Sequence, residues 1–175
     1  METRFTWVGG RPSVDFTATL GKRQQVPFER IPEAADLGRW FREAGLAQDE
    51  PVVSGRAYRQ AVELREALYR LFTGPTNADD LEVVNRWSSR PSAGPRLTSE
   101  LRAEYAAVDV LGLLSSLARD AVDLLTGPFA DRIRTCAADD CSLLYVDASR
   151  AGRRRWCSMN TCGARAKMAT YRAVD

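Results

Sequence analysis

The stretch Cys136-Ala-Ala-Asp-Asp-Cys141, followed after fifteen further residues by Cys157-Ser-Met-Asn-Thr-Cys162, decides how the C-terminal part of this chain folds. It has the pattern C-x4-C-x15-C-x4-C, and it holds all four cysteines of the 175-residue protein. A structural zinc ion needs four donors at the corners of a tetrahedron, and thiolates are its best donors. Two short loops that each supply two sulfurs meet this need. The spacing therefore predicts one structural Zn²⁺ held by Cys136, Cys141, Cys157 and Cys162.

Disulfide bonds and four unconnected buried thiols are the alternatives to a zinc site. Disulfides conflict with the reducing cytoplasm, where we expect this chain because its first residues show no secretory signal. Unconnected core cysteines would be scattered along the sequence, whereas these four form two equal pairs. Since protein ligands would fill all four positions, the site is expected to be structural and not catalytic. Metal binding should then supply much of the folding free energy of a segment too short to bury a large core.

Charge is distributed unevenly along the chain. Residues 132–175 carry nine basic and four acidic side chains, a net charge of +5, whereas residues 1–131 carry sixteen basic and nineteen acidic ones, a net −3. This asymmetry predicts an anionic partner for the basic segment, DNA being the obvious one. The alternative is a solvated face that balances the zinc–thiolate charge. The candidate DNA contacts are Arg153, Arg154, Arg155, Arg165, Lys167 and Arg172.

Composition excludes several classes of protein. The chain is 45% apolar and 27% charged, as in globular proteins, and no apolar run approaches the length of a membrane helix. It contains no histidine, which excludes Ser-His-Asp and Cys-His catalysis, histidine-ligated zinc and a histidine pH switch. No spacing marks a carboxylate pair or an activated serine or tyrosine. We therefore expect a protein without a membrane partner that is not an enzyme.

Apolar periodicity, capping residues and Gly-Pro breaks predict a mostly helical N-terminal part, with helices over 32–46, 54–72, 78–89 and 109–126. Ser54 and either Thr76 or Asn77 are the expected N-caps of the second and third helices, and the apolar line of the third is expected to consist of Leu81, Val84 and Trp87. Residues 5–20 are expected to form a short strand or entry segment and then a turn, and the alternation over 97–105 predicts a strand or a hairpin. The helix over 109–126 is apolar on most sides and should be the buried centre of the body. Its polar stripe could line a pocket, or simply meet solvent or a loop. The fold class is thus an α+β, mostly helical domain over 1–128, followed by a four-cysteine zinc finger over 129–175 with a final helix over 161–172.

Several stretches of the C-terminal segment together resemble the CGNR-type zinc finger: Cys136–Asp147, Ser149-Arg150, Arg154-Arg-Trp-Cys-Ser-Met159 and Cys162-Gly-Ala-Arg-Ala-Lys167. The opening Gly9-Gly-Arg-Pro-Ser-Val-Asp-Phe16 is similar to the start of the ABATE domain, an α/β domain that precedes this finger in the family. The resemblance implies a bacterial transcription regulator that responds to stress. Ala164 stands where the family has Asn, so this chain lacks any contact of that amide to DNA or to the start of the helix.

We therefore expect a zinc-dependent DNA-binding transcription regulator in which the finger contacts DNA. The N-terminal domain would sense a small-molecule effector or mediate homodimerisation. Gly10, Arg11 and Asp15 could line the effector pocket; the alternative, which the residue types favour, is a tight turn followed by a satisfied polar residue. The second hypothesis is a zinc-stapled protein-interaction module that does not bind DNA.

Overall fold

The computed structural model describes residues 4–105 and 109–172, except for the side chains at 95–96, 103–105 and 170–172. The chain divides into two compact units, which are described separately: a helical unit, Ile31–Asp123, and a finger unit that combines Met1–Arg30 with Leu124–Asp175. The expected domains over 1–128 and 129–175 follow chain order and stay a prediction. The compact units do not follow chain order, since the first thirty residues group with the cysteine segment.

The helical unit contains four helices and one hairpin within the described residues. Its elements are α2 (Ala34–Glu43), α3 (Gly55–Thr73), α4 (Ala78–Ser88), the strands β3 (Pro95–Leu97) and β4 (Ala103–Tyr105), and most of α5 (Val110–Thr126). This arrangement confirms the mostly helical fold class. The predicted hairpin is present, with β3 and β4 antiparallel and Leu97 opposite Ala103. No helix in the described part of the chain is both long and apolar enough to cross a membrane.

Local caps set the starts of α3 and α4. The Ser54 hydroxyl accepts a hydrogen bond from the Ala57 N–H at 3.2 Å, and the Asn77 side-chain oxygen accepts one from the Asp80 N–H at 3.1 Å. Each satisfies a backbone donor that has no partner inside its own helix. Gly74 follows the last residue of α3, as the Gly-Pro break predicts.

Helix α2 is shorter than the predicted helix over 32–46. It begins at Ala34 because Glu33 and Asp36 form a reciprocal capping box there, so Pro32 lies outside it. It ends at Glu43, and Gly45 then adopts the left-handed conformation, with φ of 70°. Glycine reaches this conformation without a Cβ penalty, which allows the chain to turn away from the helix axis.

The core of the helical unit is apolar and takes side chains from α2, α3, α4 and α5. Its largest fully buried side chains are Trp40, Phe41, Leu64, Leu68, Trp87, Leu113, Leu114 and Leu117. Burying each such side chain contributes roughly 1.5–3 kcal/mol relative to leaving it exposed. Leu113, Leu114 and Leu117 of α5 are fully buried, as expected for a helix that is apolar on most sides.

One residue of the predicted apolar line of α4 is not in the core. Leu81 is 40% exposed, whereas the neighbouring Asp80 is 2% exposed. Asp80 is buried because Arg70 of α3 donates to both of its carboxylate oxygens, with Nε–O distances of 2.9 and 3.1 Å. An interhelical charge pair therefore occupies a position next to the expected hydrophobic contact.

The polar stripe of α5 faces a loop. The Ser115 hydroxyl donates to the Arg90 carbonyl at 2.8 Å, and the Ser116 hydroxyl donates to the Ala93 carbonyl at 2.9 Å. The Ala93 N–H in turn donates to the Gly112 carbonyl. These bonds satisfy the backbone of residues 90–93, so this part of the stripe positions a loop.

The finger unit contains short elements. They are α1 (Pro12–Thr17), β1 (Leu20–Gly21), β2 (Phe28–Glu29), a 3₁₀ turn (Ala130–Arg132), β5 (Ile133–Thr135), β6 (Leu144–Val146), a single π-helical turn (Met159–Gly163) and α6 (Ala164–Arg172). Residues 4–8 form an entry segment without a strand and lead into a bend at 9–11, as one of the two alternatives expected there, whereas the six-residue α1 and the β1–β2 hairpin that follow were not predicted. The predicted final helix is present, although its first turn is π-helical and its α-helical part begins at Ala164.

Candidate zinc centre and nucleic-acid interface

Two separate pieces of backbone present the four cysteines. Cys136 follows β5, and Cys141 lies before β6, in the loop that joins these two antiparallel strands. Cys157 ends a loop, and Cys162 lies in the π-helical turn that leads into α6. The Cys136 N–H donates to the Leu143 carbonyl at 2.9 Å, which extends the hairpin to the first ligand. Each cysteine pair is thus held by a local backbone motif.

The sulfur atoms are arranged as a tetrahedral zinc site requires. All four lie within 4.8 Å of one another. The Cys141–Cys157 and Cys157–Cys162 sulfur pairs are separated by 3.8 and 3.6 Å. A zinc–sulfur bond of about 2.3 Å places tetrahedral sulfurs about 3.8 Å apart. The donor set and its spacing therefore fit one structural zinc ion with no position left for substrate.

Hydrogen bonds favour the thiolate form of one of the four cysteines, Cys141. The Cys157 N–H donates to the Cys136 sulfur at 3.3 Å. A hydrogen bond from the Cys157 thiol, assisted by the Leu143 backbone, lowers the pKa of Cys141 to about 5. The same shared proton raises the pKa of Cys157. A metal dication replaces that shared proton when all four sulfurs ionise.

Tyr145 and Arg154 form the polar wall of the cysteine cluster. Tyr145 is buried with Cys136, Cys157 and Cys162, and the Arg154 guanidinium stacks over its ring at 4.3 Å. The tyrosine hydroxyl donates to the Arg154 carbonyl at 2.5 Å. These contacts hold the backbone on the N-terminal side of the third ligand.

The guanidinium of Arg154 also points into the finger. It donates to the carbonyl oxygens of Trp156, at 2.9 Å, and of Cys157. Its backbone N–H donates to Asp147, a fully buried carboxylate. Arg154 thus has a structural role in the finger, because its donors bond the carbonyls beside the third ligand, and its predicted contact with DNA stays a prediction.

Asp147 anchors the loop that carries the basic residues. Bonds from Ser149 and from the Arg154 backbone hold the pKa of its carboxyl below the ordinary value. Because the pKa is lowered in the folded state, the ionised carboxylate stabilises the loop above the unfolded-state pKa of about 3.9. That contribution is lost only as the pH falls from there through the lowered pKa.

Arg165 lies between the zinc centre and the first cysteine loop. One guanidinium nitrogen donates to the Cys162 sulfur at 3.3 Å, and another pairs with the Asp140 carboxylate. These two anionic partners, the thiolate first, raise the pKa of Arg165. Arg165, one of the predicted DNA contacts, therefore also has a structural role, because its guanidinium bonds a metal ligand.

The remaining predicted cations differ in exposure. Arg153, Arg155 and Lys167 are exposed, and the Arg155 guanidinium stacks over the Trp156 ring at 4.6 Å. Arg172 is the last residue of α6, and its side chain lies outside the described residues. The exposed basic loop and α6 both adjoin the four-cysteine cluster within the finger unit.

The residues predicted to line an effector pocket form the start of α1. Gly10 has a φ of 78°, and the Arg11 carbonyl accepts hydrogen bonds from the Val14 and Asp15 N–H groups. The Asp15 carboxylate accepts a hydrogen bond from the Gly9 N–H at 2.7 Å. These bonds give the three residues local roles in a turn, and effector binding by them stays a prediction.

Contacts between distant parts of the sequence complete the finger. The Val146 N–H donates to the Gly9 carbonyl at 2.9 Å, and Val8 packs against the cysteine cluster. The Ser142 hydroxyl accepts a hydrogen bond from the Arg23 N–H at 3.0 Å. More than a hundred residues separate these partners in the chain, so no local sequence pattern indicates them.

Comparison with known families agrees with this geometry. Residues 10–128 match the ABATE family, described as "Putative stress-induced transcription regulator", and residues 132–174 match the CGNR zinc finger. Neither is an enzyme family. A search of curated proteins found no match. The ABATE match covers more than half of the chain, and the four clustered cysteines lie within the CGNR match. The chain therefore belongs to the ABATE family, and it carries a C-terminal CGNR zinc finger with one structural zinc site.

Proposed function

We propose that this protein is a DNA-binding transcription regulator whose zinc finger contacts DNA through Arg153, Arg155 and Lys167. The observation that carries the proposal is the position of these exposed cations on two elements that the cysteine cluster joins. Arg155 lies two residues before Cys157, and Lys167 lies on the helix that begins just after Cys162. A zinc-fixed loop and helix can hold several cations at a constant spacing, as contacts to a phosphate backbone require.

Helix α6 is the element proposed to approach the bases. Cys162 in its preceding turn ties it to the cysteine cluster, and Ala164 and Ala169 on it are small and exposed. Small side chains allow a helix to come close to base edges in the major groove, while flanking cations contact phosphates. Arg172 on the last turn of α6 belongs to the proposed surface by its position in the helix.

The test is a titration of the zinc-loaded protein against random duplex DNA and against the promoter region of its own gene, at two salt concentrations. Each neutralised phosphate contributes about 0.9 to the slope of the logarithm of affinity against the logarithm of salt concentration. We expect tighter binding at low salt and a preference for the promoter. Absence of binding at both salts would contradict the proposal and favour a zinc-stapled protein-interaction module.

Double variants test which exposed arginines form the DNA-binding surface. Arg153→Ala with Arg155→Ala should weaken binding to every sequence and lower the salt slope by about two, with zinc content unchanged. The matched control is Arg59→Ala with Arg102→Ala, which removes two exposed arginines from the helical unit. If both double variants lose equal affinity, the binding is a property of net charge and the finger is not its site.

Arg154 separates a structural effect from a DNA-binding effect. Its guanidinium bonds the carbonyls of Trp156 and Cys157, so Arg154→Ala should destabilise the finger itself. We expect this variant to lower both zinc affinity and DNA affinity. The double variant Arg153→Ala with Arg155→Ala should lower only DNA affinity.

The proposal gives the N-terminal family domain the role of sensing a small-molecule effector or of mediating homodimerisation. Support for sensing comes from a cavity of about 450 Å³ in the helical unit, lined by polar side chains that include Ser54, Arg56, Gln60 and Arg90. Dimerisation would place two fingers on paired half-sites, which raises the affinity available to a small finger. A cytoplasmic location belongs to the same proposal, because four zinc-binding thiolates must stay reduced. The proposal also gives the protein no enzymatic activity.

A further inference from the structure

A pocket of about 330 Å³ in the finger unit leads to the cysteine cluster. Cys141, Cys157 and Cys162 all line it, together with Val8 and Leu143. The pocket therefore combines apolar walls with three of the four metal ligands. Its volume suits a small organic molecule of several non-hydrogen atoms.

The four cysteines differ in their access to solvent. Cys136, Cys157 and Cys162 are buried, with 6%, 3% and 4% of their surface exposed, whereas Cys141 is half-buried. Thiolate reactivity follows the ionised fraction and the access of the reagent. In a site where all four sulfurs are ionised by the same metal, access becomes the main difference between them. Cys141 is the most accessible sulfur-bearing residue on this pocket.

Three cationic side chains, Lys22, Arg30 and Arg165, and one carboxylate, Asp140, also line the pocket, and Asp140 pairs with Arg165. Lys22 is exposed, and Arg30 is half-buried, with its positive charge close to Cys141. Cations at a reacting sulfur stabilise negative charge that develops on the molecule under attack. The lining thus favours a neutral or anionic reagent that gains negative charge as it reacts, and it disfavours a cationic one.

We propose that Cys141 is a modification site for small α,β-unsaturated carbonyl compounds that enter this pocket. The Sγ of Cys141 forms a bond to the β-carbon, and the π electrons of the carbon–carbon double bond move toward the carbonyl oxygen as an enolate. Water then supplies a proton to the α-carbon, and hydroxide remains. The product is a thioether, so the site loses one of its four thiolate ligands. The finger would thereby lose the metal-dependent part of its stability when such an electrophile accumulates.

The test uses N-ethylmaleimide on the zinc-loaded full chain. The reaction is stopped at low conversion, the adducts are mapped by peptide mass spectrometry, and zinc release is followed with a chromogenic chelator. We expect Cys141 to carry about ten times as many first adducts as any other cysteine, because reactivity is site-selective. The labelling rate should rise in proportion to the maleimide concentration.

Two results would overturn the proposal. Adducts spread evenly over the four cysteines, or concentrated on another one, would show that the pocket does not direct the reaction. A labelling rate that reaches a plateau equal to the rate of zinc release measured without maleimide would show that spontaneous metal loss precedes modification. Both readouts are independent of DNA binding, so they stay informative even if the proposed function fails.

Variants in the pocket provide a second measurement. Thr161→Trp places a large ring in the lining and should slow Cys141 labelling by about fivefold while zinc content stays stoichiometric, since access limits the reaction. Thr6→Trp does the same from the N-terminal segment, should the first variant fail to hold zinc. Unchanged labelling in a zinc-loaded variant would remove the pocket from the route to Cys141.

Two variants that each remove one exposed cation test whether the positive charge of Lys22 speeds the labelling of Cys141. Lys22→Gln should slow Cys141 labelling by about threefold, the modest effect expected of an exposed charge. Arg59→Gln removes an exposed cation from the helical unit and should leave the rate unchanged. Equal rates for both variants would contradict stabilisation of the enolate by Lys22.

Discussion

The helical unit over 31–123 and the finger unit, which joins residues 1–30 with 124–175, are stabilised by different kinds of contact. In the helical unit, whole apolar side chains such as Trp40, Leu64 and Trp87 are completely buried between helices. In the finger unit, one buried cluster consists of three cysteines and Tyr145, surrounded by hydrogen bonds to Asp147 and Arg154.

The difference follows from the length of the elements. Helices such as α3, with 19 residues, can bury a continuous apolar stripe, whereas β5 and β6, with three residues each, cannot. A unit of short strands and turns needs a cross-link, and a four-thiolate metal site supplies one. Loss of metal and loss of a core side chain should consequently affect different units.

The largest expected effect is that of Cys157→Ser. The variant should lose stoichiometric zinc and unfold the finger, since zinc binding contributes about 10–16 kcal/mol in small zinc-finger peptides. The helices of residues 31–123 should persist, because their core contains no metal ligand. Zinc per chain and the far-ultraviolet circular dichroism spectrum measure the two effects. Chelator-treated wild-type protein is the control, and a variant with full zinc and native stability would refute the four-cysteine site.

The second largest effect is expected from a core variant that destabilises the helical unit and leaves the zinc site intact. Leu64 is fully buried, so Leu64→Ala should destabilise the helical unit by about 2–5 kcal/mol through lost burial and a residual cavity. Zinc content should stay at one ion per chain. Val52 is 96% exposed, and Val52→Ala should change stability by less than about 0.5 kcal/mol. Denaturant unfolding followed by circular dichroism compares the two, and loss of zinc in Leu64→Ala would mean that the units do not unfold separately.

A smaller effect is expected from Arg165→Gln within the finger. It removes the N–H donor to the Cys162 sulfur and the charge opposite Asp140. We expect zinc affinity to fall about tenfold, the lower end of the range for residues that support metal ligands, because the arginine is half-exposed. Competition with a chromophoric chelator measures this change, and Lys167→Gln serves as the control for lost charge on α6. Equal affinities of wild type and Arg165→Gln would leave Arg165 to the DNA surface alone.

The smallest effect is that of Asp140→Asn. This variant keeps the bond between Arg165 and the Cys162 sulfur and removes only an exposed ion pair. Zinc affinity should change by less than about threefold, as for other solvent-exposed pairs. The same chelator competition provides the measurement. A loss as large as that of Arg165→Gln would show that the carboxylate positions the guanidinium on the sulfur.

Local sequence signals were sufficient where a feature depends on neighbouring residues. Ser54 and Asn77 cap the helices that follow them, and Gly74 ends α3, as their spacing predicts. The hairpin around residues 98–100 was also predictable, because alternation of apolar and polar side chains is typical of a strand with one polar face. Its Leu97 and Leu101 are nonetheless exposed, since alternation does not say whether a second layer covers one face.

Local signals failed where an element is too short to show a period. Helix α1 has six residues, fewer than two turns, and it begins within a Gly-rich turn. The predicted apolar position at Leu81 failed for another reason. Asp80 is buried there instead, because Arg70 on the neighbouring helix pairs with it, and helical periodicity contains no information about that partner.

By itself, the sequence determined the four metal ligands, the predominance of helices and the basic character of the C-terminal segment, because each depends on residue type and spacing along the chain. Tertiary structure alone decided which cations are exposed. Arg153 and Arg154 are adjacent in the sequence, yet one is exposed and the other is bonded to backbone carbonyls beside a zinc ligand. It also decided that Val8 and Gly9 belong with the finger. The physical reason is that hydrogen bonding and burial depend on groups brought together by the fold, and these groups lie far apart in the chain.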